Sequence, residues 1–119
     1  MYDHIGITVS DLQASIRFYQ AALAPLGHVL GSHDDSYAGF GPPDAPALWL
    51  YAGEGTALAK THIAFRAAEH KAVKAFHKAG LEAGGSDNGA PGPRPDYSAS
   101  YYAAFLIDPD GNNVEAVCL

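Results

Sequence analysis

The 119-residue chain carries an internal repeat, and this is the feature that most restricts what it can fold into. Shifted by 58 positions against itself, it places His4-Ile5 on His62-Ile63, Ile7 on Phe65, Asp11 on Glu69, Ala14 on Ala72, Phe18 on Phe76, Ala21 on Ala79 and Leu23 on Leu81. The later parts of the two halves match at a shift of 66, with Pro43-Asp44 on Pro109-Asp110, Leu48 on Val114 and Trp49 on Glu115. The eight extra positions are a loop insertion in the second half. Such self-similarity indicates two copies of one supersecondary unit, neither able to cover its own core alone. The chain is therefore read as a single domain of two modules, residues 1–56 and 57–119.

Each copy reads as a strand, a helix and three short strands. Ile5, Ile7 and Val9 alternate with His4, Gly6 and Thr8, the period of a half-buried strand. Ser10 and Gln13 form a capping box for the helix that follows. Leu12, Ile16, Tyr19 and Leu23 recur at helical spacing, and Pro25 and Gly27 end the run. Strands are expected near 28–34, 37–41 and 47–52. In the second copy the spacing predicts a strand over 61–66 and a helix over 69–79 with Ala72, Val73, Phe76 and Ala79 inward and Gly80 just past its end. Weak strand character near 84–87 precedes clear strands over 101–107 and 113–118, the last two joined by the Asp108-Pro109-Asp110-Gly111 turn. The insertion, NGAPGPRPDYSAS over 88–100, reads as a long loop, and loops of that length in compact domains are commonly functional.

Composition then removes several classes of function. Thirteen acidic residues against seven basic give a net charge of −6, and no Lys/Arg-rich run is present, so neither nucleic acid nor an anionic membrane is an expected partner. With 48% apolar and 17% charged residues the chain has the makeup of a packed protein. Cys118 has no second cysteine to pair with, which favours a reducing compartment. MYDHIG has neither a basic nor an apolar leader character, and no apolar stretch approaches membrane-spanning length. A cytoplasmic location is the expectation.

Strand parity narrows the six histidines. If Ile5, Ile7, Ile63 and Phe65 face the helices, His4 and His62 face the opposite, concave side and are equivalent by the repeat. Glu115 stands among Val114, Ala116, Val117 and Cys118, where an unpaired carboxylate is costly. Two imidazoles and one carboxylate from three strands form the facial set of a divalent metal site with open positions. His70 and His77 share a helix face with Lys74 and read as solvated; His28 and His33 fall in a short strand and its turn, with His33 an outlying candidate for the pocket. Phe40, Trp49, Tyr51 and Tyr102 are candidate aromatic walls for a small organic ligand. Arg94, Tyr97 and Tyr102, on or beside the insertion, are placed to steer an anionic or phenolic group or to supply a proton.

The segments YDHIGITVSDLQASIRFYQAAL, THIAF and YYAAFLIDPDGNNVEAVCL, in this order, resemble the vicinal oxygen chelate superfamily of glyoxalase I, extradiol dioxygenases, fosfomycin-resistance thiol transferases and bleomycin-resistance proteins. The resemblance spans essentially the whole chain. It implies an α+β fold of two paired βαβββ modules, an open eight-stranded mixed sheet with helices on its outer face, built around a metal. Carried over by position, the ligands are His4, His62 and Glu115. The resemblance further implies a divalent ion (Fe, Mn, Ni, Co or Zn), a small-molecule substrate with vicinal oxygens, lyase-, isomerase- or dioxygenase-like chemistry, and a homodimer. Glyoxalase I has a fourth ligand, a glutamate, where this chain has Trp49, which disfavours that activity; Glu54, nearby in sequence, belongs to the opposite end of the strand. The competing expectation is a metal-free protein that sequesters a small molecule, similar to bleomycin-resistance proteins.

Overall fold

Alternation of apolar and polar side chains decides which face of each strand is covered, and the computed structural model, which describes residues 1–53 and 59–119, follows that alternation. The expected module boundary, and Glu54, lie outside the described residues. The strands are β1 (Ile5–Val9), β2 (Val29–His33), β3 (Tyr37–Gly41), β4 (Leu48–Ala52), β5 (His62–Arg66), β6 (Ser86–Pro93), β7 (Tyr102–Ile107) and β8 (Asn113–Cys118). The helices are α1 (Leu12–Leu23) and α2 (His70–Glu82), so each module has the order β-α-β-β-β.

The eight strands do not form one continuous hydrogen-bonded sheet. They pair as two mixed sheets of four, β1-β4-β3-β2 and β5-β8-β7-β6. In each, the first strand runs parallel to the last and the other neighbours are antiparallel. The registers confirm the repeat at single-residue level. Gly6 lies opposite Trp49 in the first sheet and Ala64 opposite Glu115 in the second, which makes Trp49 the counterpart of Glu115.

Both helices cover the same side of their sheets and meet each other, α1 against α2. Phe18, Tyr19, Leu23, Phe40, Leu50, Val73, Phe76, Leu106 and Val114 form the shared core, each fully buried large side chain stabilising the fold by about 1.5–3 kcal/mol relative to exposure. Among the described residues no helix is long and apolar enough to cross a membrane.

Local departures from expectation have identifiable causes. The cap of α1 is Asp11, whose carboxylate accepts from the Ala14 amide at 3.1 Å, because the Ser10 amide and hydroxyl are both taken by Asp110 from the far end of the chain. Gly80 lies inside α2, against Leu106, Phe18 and Ala22; the left-handed residue after the helix is Gly84, φ 99°. The insertion is only partly loop. β6 extends through Pro93, with register shifts around Gly89, and its place at the sheet edge tolerates proline, which has no N–H to give.

Candidate functional site

The concave face of the second sheet collects side chains at alternate positions of three strands. His62 begins β5, Glu115 is central in β8, and Phe105 lies directly opposite Glu115 on β7. Glu115 is buried at 2% exposure, between valine and alanine neighbours that give it no partner within the strand. Its partners come from beside it: His62 Nε2 lies 3.1 Å from Oε2, and the Tyr101 hydroxyl donates to Oε1. That hydrogen bond, followed by burial and the carboxylate charge, pushes the Tyr101 phenol up to about 12, since a proton shared with a carboxylate is harder to remove. Tyr97 packs edge-on against Tyr101 with ring centroids 5.0 Å apart. These residues and Asn113 line an open cleft of about 350 Å³.

Continuous with it, through Tyr97, Phe105 and Asn113, is a second cleft of about 330 Å³ that contains Arg94. The guanidinium lies 5.4 Å from the Phe105 ring centroid.

His4 stands on the other sheet. It hydrogen-bonds Asp3 at 2.6 Å and lines a separate cleft of about 550 Å³ with Trp49, Tyr51, Tyr37 and Ser32. This face is aromatic because glycines clear room for rings: a Cβ on Gly39 would lie 2.6 Å from Trp49 and one on Gly6 would lie 2.7 Å from Tyr51.

The structure thus brings His62, Glu115 and Tyr97 together, with Arg94 alongside, and groups Trp49 and Tyr51 around His4. It does not bring His4 to the other two within one chain. Among the described residues no three His, Cys, Asp or Glu side chains are grouped closely enough to hold a metal ion. One imidazole nitrogen and one carboxylate oxygen at 3.1 Å are a donor pair suited to a borderline divalent cation and incomplete as a site, since such ions take three protein ligands or more.

Two expected pocket residues lie elsewhere. Phe40 is 1% exposed and packs toward Tyr19, because Gly39, not Phe40, shares the face of Trp49. Tyr102 points to the helix side and stacks on His70 at 3.8 Å between centroids, so that His70 is not simply solvated. His77, expected on the same solvated face, hydrogen-bonds Asp87 at 2.8 Å. His33 bonds the Gly31 carbonyl of its own strand and does not enter the clefts. The residue that reasoning from sequence missed is Tyr101, adjacent to the one chosen. Parity identifies it, since Tyr101 shares alternation with Phe105; in the same way Asn113 shares it with Glu115.

The sequence pattern of the Glyoxalase/Bleomycin resistance protein/Dioxygenase superfamily matches residues 2–116. The chain belongs to that superfamily. Its structure is similar to that of a glyoxalase/bleomycin resistance protein from Albidiferax ferrireducens T118, with 31% identity, TM-score 0.87, and coverage of 100% of this chain and 99% of that one. A glyoxalase-related enzyme from Fulvimarina pelagi shares the fold at 18% identity and TM-score 0.76, covering 100% and 88% of the two chains. A glyoxalase/bleomycin resistance protein/dioxygenase family enzyme from Burkholderia phytofirmans PsJN does so at 17% identity and TM-score 0.71, covering 98% and 96%. Among functionally curated proteins none matches the chain. For this superfamily member the two-module architecture is therefore secure, and the His62–Glu115 pair is the feature from which an activity must be argued.

Proposed function

We propose that this superfamily member is a small divalent-metal-dependent enzyme that chelates vicinal oxygens of a small organic substrate, with lyase-, isomerase- or dioxygenase-like chemistry. His62 and Glu115 would be two of its ligands and His4 of a second copy the third. The observation that carries the reading is the His62–Glu115 pair itself. A carboxylate placed in an apolar strand is costly unless its position is used, and here its oxygen and an imidazole nitrogen converge at 3.1 Å on a cleft open to solvent.

The separation of His4 onto the first sheet supports a site completed by a homodimer, in which a two-fold axis sets the first sheet of each copy against the second sheet of the other. A bound ion would polarise a substrate carbonyl and offset negative charge developing on its oxygens. The chain's own residues have separate tasks. Tyr101 fixes the orientation of Glu115, as an outer hydrogen-bond partner of a ligand does. Tyr97 and Phe105 wall the cleft, and Trp49 and Tyr51 of the facing copy would supply its opposite wall.

One observation favours a second reading. Trp49 occupies the register position equivalent to Glu115, and an indole is not a metal ligand. That is the arrangement expected of a metal-free protein that sequesters a small molecule in the same cleft.

Metal analysis of protein reconstituted with Mn, Fe, Co, Ni or Zn decides between them. The enzyme reading expects near one equivalent per chain, lost in His62→Ala and Glu115→Ala; less than about a tenth of an equivalent abandons it. Mixing His4→Ala with Glu115→Ala chains tests sharing across a dimer. Random reassociation leaves about a quarter of sites intact if ligands come from two copies, and none if they come from one.

A further inference from the structure

Arg94 is held as a ligand-binding cation is held, with its charge left uncancelled. Its Nη1 donates to the Gly92 carbonyl at 2.9 Å and to that of Pro93 at 3.3 Å, and its Nη2 to that of Ala90 at 2.8 Å. These neutral acceptors all belong to its own strand segment, and they fix the plane of the guanidinium without neutralising it. Among the described residues the ion pairs within 4.0 Å are three histidine–carboxylate pairs, and Arg94 is in none of them. Since no described Lys or Arg lies within 4.0 Å of a carboxylate, what sets Arg94 apart is the fixing of its guanidinium by carbonyls at the edge of a cleft, and that placement calls for a reason.

Its surroundings supply one. Three of its five N–H groups go to carbonyls, which leaves two for a ligand, the number that a carboxylate accepts side by side. Phe105 provides an apolar floor under the guanidinium at 5.4 Å. Asn88 Nδ2 donates to Asn113 Oδ1 at 3.3 Å, so that the Asn113 amide N–H₂ is available to the same cleft. Phe105 connects this cleft to the other one, since it lies opposite Glu115 in the β7–β8 ladder and its ring stands 6.5 Å from that of His62.

We propose that Arg94, with Asn113, forms a carboxylate subsite beside the His62–Glu115 pair, and that the substrate is a small organic carboxylate whose body lies over Phe105. As a statement about substrate class this rests on the function proposed above; as a statement about what Arg94 binds it stands apart from any metal. Arg94 is then a specificity-determining residue, one that fixes which end of the substrate meets His62 and Glu115.

The test uses two probes of nearly one shape, sodium benzoate and neutral benzamide, titrated into the purified protein and into the same protein after chelator treatment, with binding followed by amide chemical shifts. Benzoate is expected to bind at least about tenfold tighter than benzamide, the margin of a charged hydrogen-bonded pair. The shifts should map to Asn88, Gly89, Ala90, Gly92, Arg94 and Asn113. Arg94→Gln should bring the two probes to within about twofold of each other, chiefly through loss of benzoate affinity. Equal binding of the two probes by the wild-type protein overturns the proposal, as do shifts confined to other residues or a benzoate preference that survives Arg94→Gln. A preference that disappears on chelation also overturns it, because the anion then sits on the metal. A protein that takes up no metal but keeps the preference upholds the subsite and refutes only the metal-dependent reading. Should Arg94→Gln not fold, the wild-type preference and the location of the shifts decide the matter alone.

Discussion

The Tyr19 hydroxyl donates to Asp108 Oδ2 at 2.6 Å, joining the first module's helix to the turn between the last two strands of the second. Both groups are buried. Asp108 also accepts from the Asp110 and Asn112 amides and from the Asn112 side chain, so a carboxylate is kept in the interior entirely by donors. Asp110, in the same turn, takes the Ser10 amide and hydroxyl at the start of α1. The Asp-Pro-Asp-Gly turn is thus a clasp between modules as well as a reversal of β7 into β8, and it fixes the strand that carries Glu115 relative to the first half of the chain.

Tyr19→Phe should destabilise the protein by about 1–3 kcal/mol, because it removes one of the two donors to Asp108 Oδ2, leaving only the Asn112 side chain on that oxygen of a buried carboxylate. Urea unfolding should show a lower midpoint at unchanged slope, and Tm should fall by several degrees.

The same pair sets an alkaline limit. Burial first, then the Asp108 charge and hydrogen bond, raise the Tyr19 phenol above its ordinary value of 10.0. The fold therefore favours the neutral phenol. Its contribution is complete below about pH 10, and declines above that as the unfolded chain ionises first, by up to about 1.4 kcal/mol per pH unit. Tyr101 shifts in the same direction but is more exposed and more screened. Unfolding free energies measured from pH 8 to 11 should fall less steeply in Tyr19→Phe than in the wild type. Equal slopes would remove Tyr19 as their source.

Much of this arrangement is legible in the sequence because it is local or repeated. The alternation in IGITV and HIAFR assigns His4 and His62 to concave faces, and the two repeat offsets pair Trp49 with Glu115 as the registers do. What is not legible depends on distant partners or on a single step of parity. Ser10 looks like a helix cap until Asp110 claims it. Phe40 looks like a pocket wall until β3 places Gly39 under Trp49 instead. Tyr101 and Tyr102 are indistinguishable by type, and only the single step of parity that puts Tyr101 in phase with Phe105 sends one to Glu115 and the other to His70. The division of the ligand candidates between two sheets is likewise invisible to a periodicity, which reports which way a side chain faces and not how far two sheets stand apart.

Gly80→Ala tests the helix–helix contact. Alanine gains about 1 kcal/mol of helix propensity, but its Cβ would overlap Leu106 Cδ1 and press on Phe18 at 3.3 Å and Ala22 at 3.4 Å. Leu106 and Phe18 are fully buried and have nowhere to turn, so an overpacking cost of about 1–3 kcal/mol should exceed the gain. Chemical denaturation should show net destabilisation; a net gain would mean that the helices separate at little cost.

Gly39→Ala tests the aromatic face. The added Cβ would lie 2.6 Å from the Trp49 ring, and that ring, at the end of a half-exposed side chain, is the group able to move. Because Trp49 is the sole tryptophan, displacement should appear as a red shift of emission, with a stability change below about 1 kcal/mol. Unchanged emission would show that the ring does not lie over Gly39.

Tyr101→Phe separates support of a ligand from support of the fold. The hydroxyl bonds Glu115 Oε1 while His62 faces Oε2, so without it the carboxylate keeps its imidazole partner and gains freedom to rotate. On the proposed metal-dependent reading, affinity for the ion should drop by about 10- to 100-fold, as when an outer hydrogen-bond partner of a ligand is removed, measured by competition with a chromophoric chelator. The unfolding midpoint of the metal-free protein should fall by less than in Tyr19→Phe, since the bond is made at a cleft open to solvent, from which water can replace the lost donor. A large loss of metal-free stability with unchanged metal affinity would reassign Tyr101 to holding β7 against β8, and would leave Glu115 oriented by His62 alone.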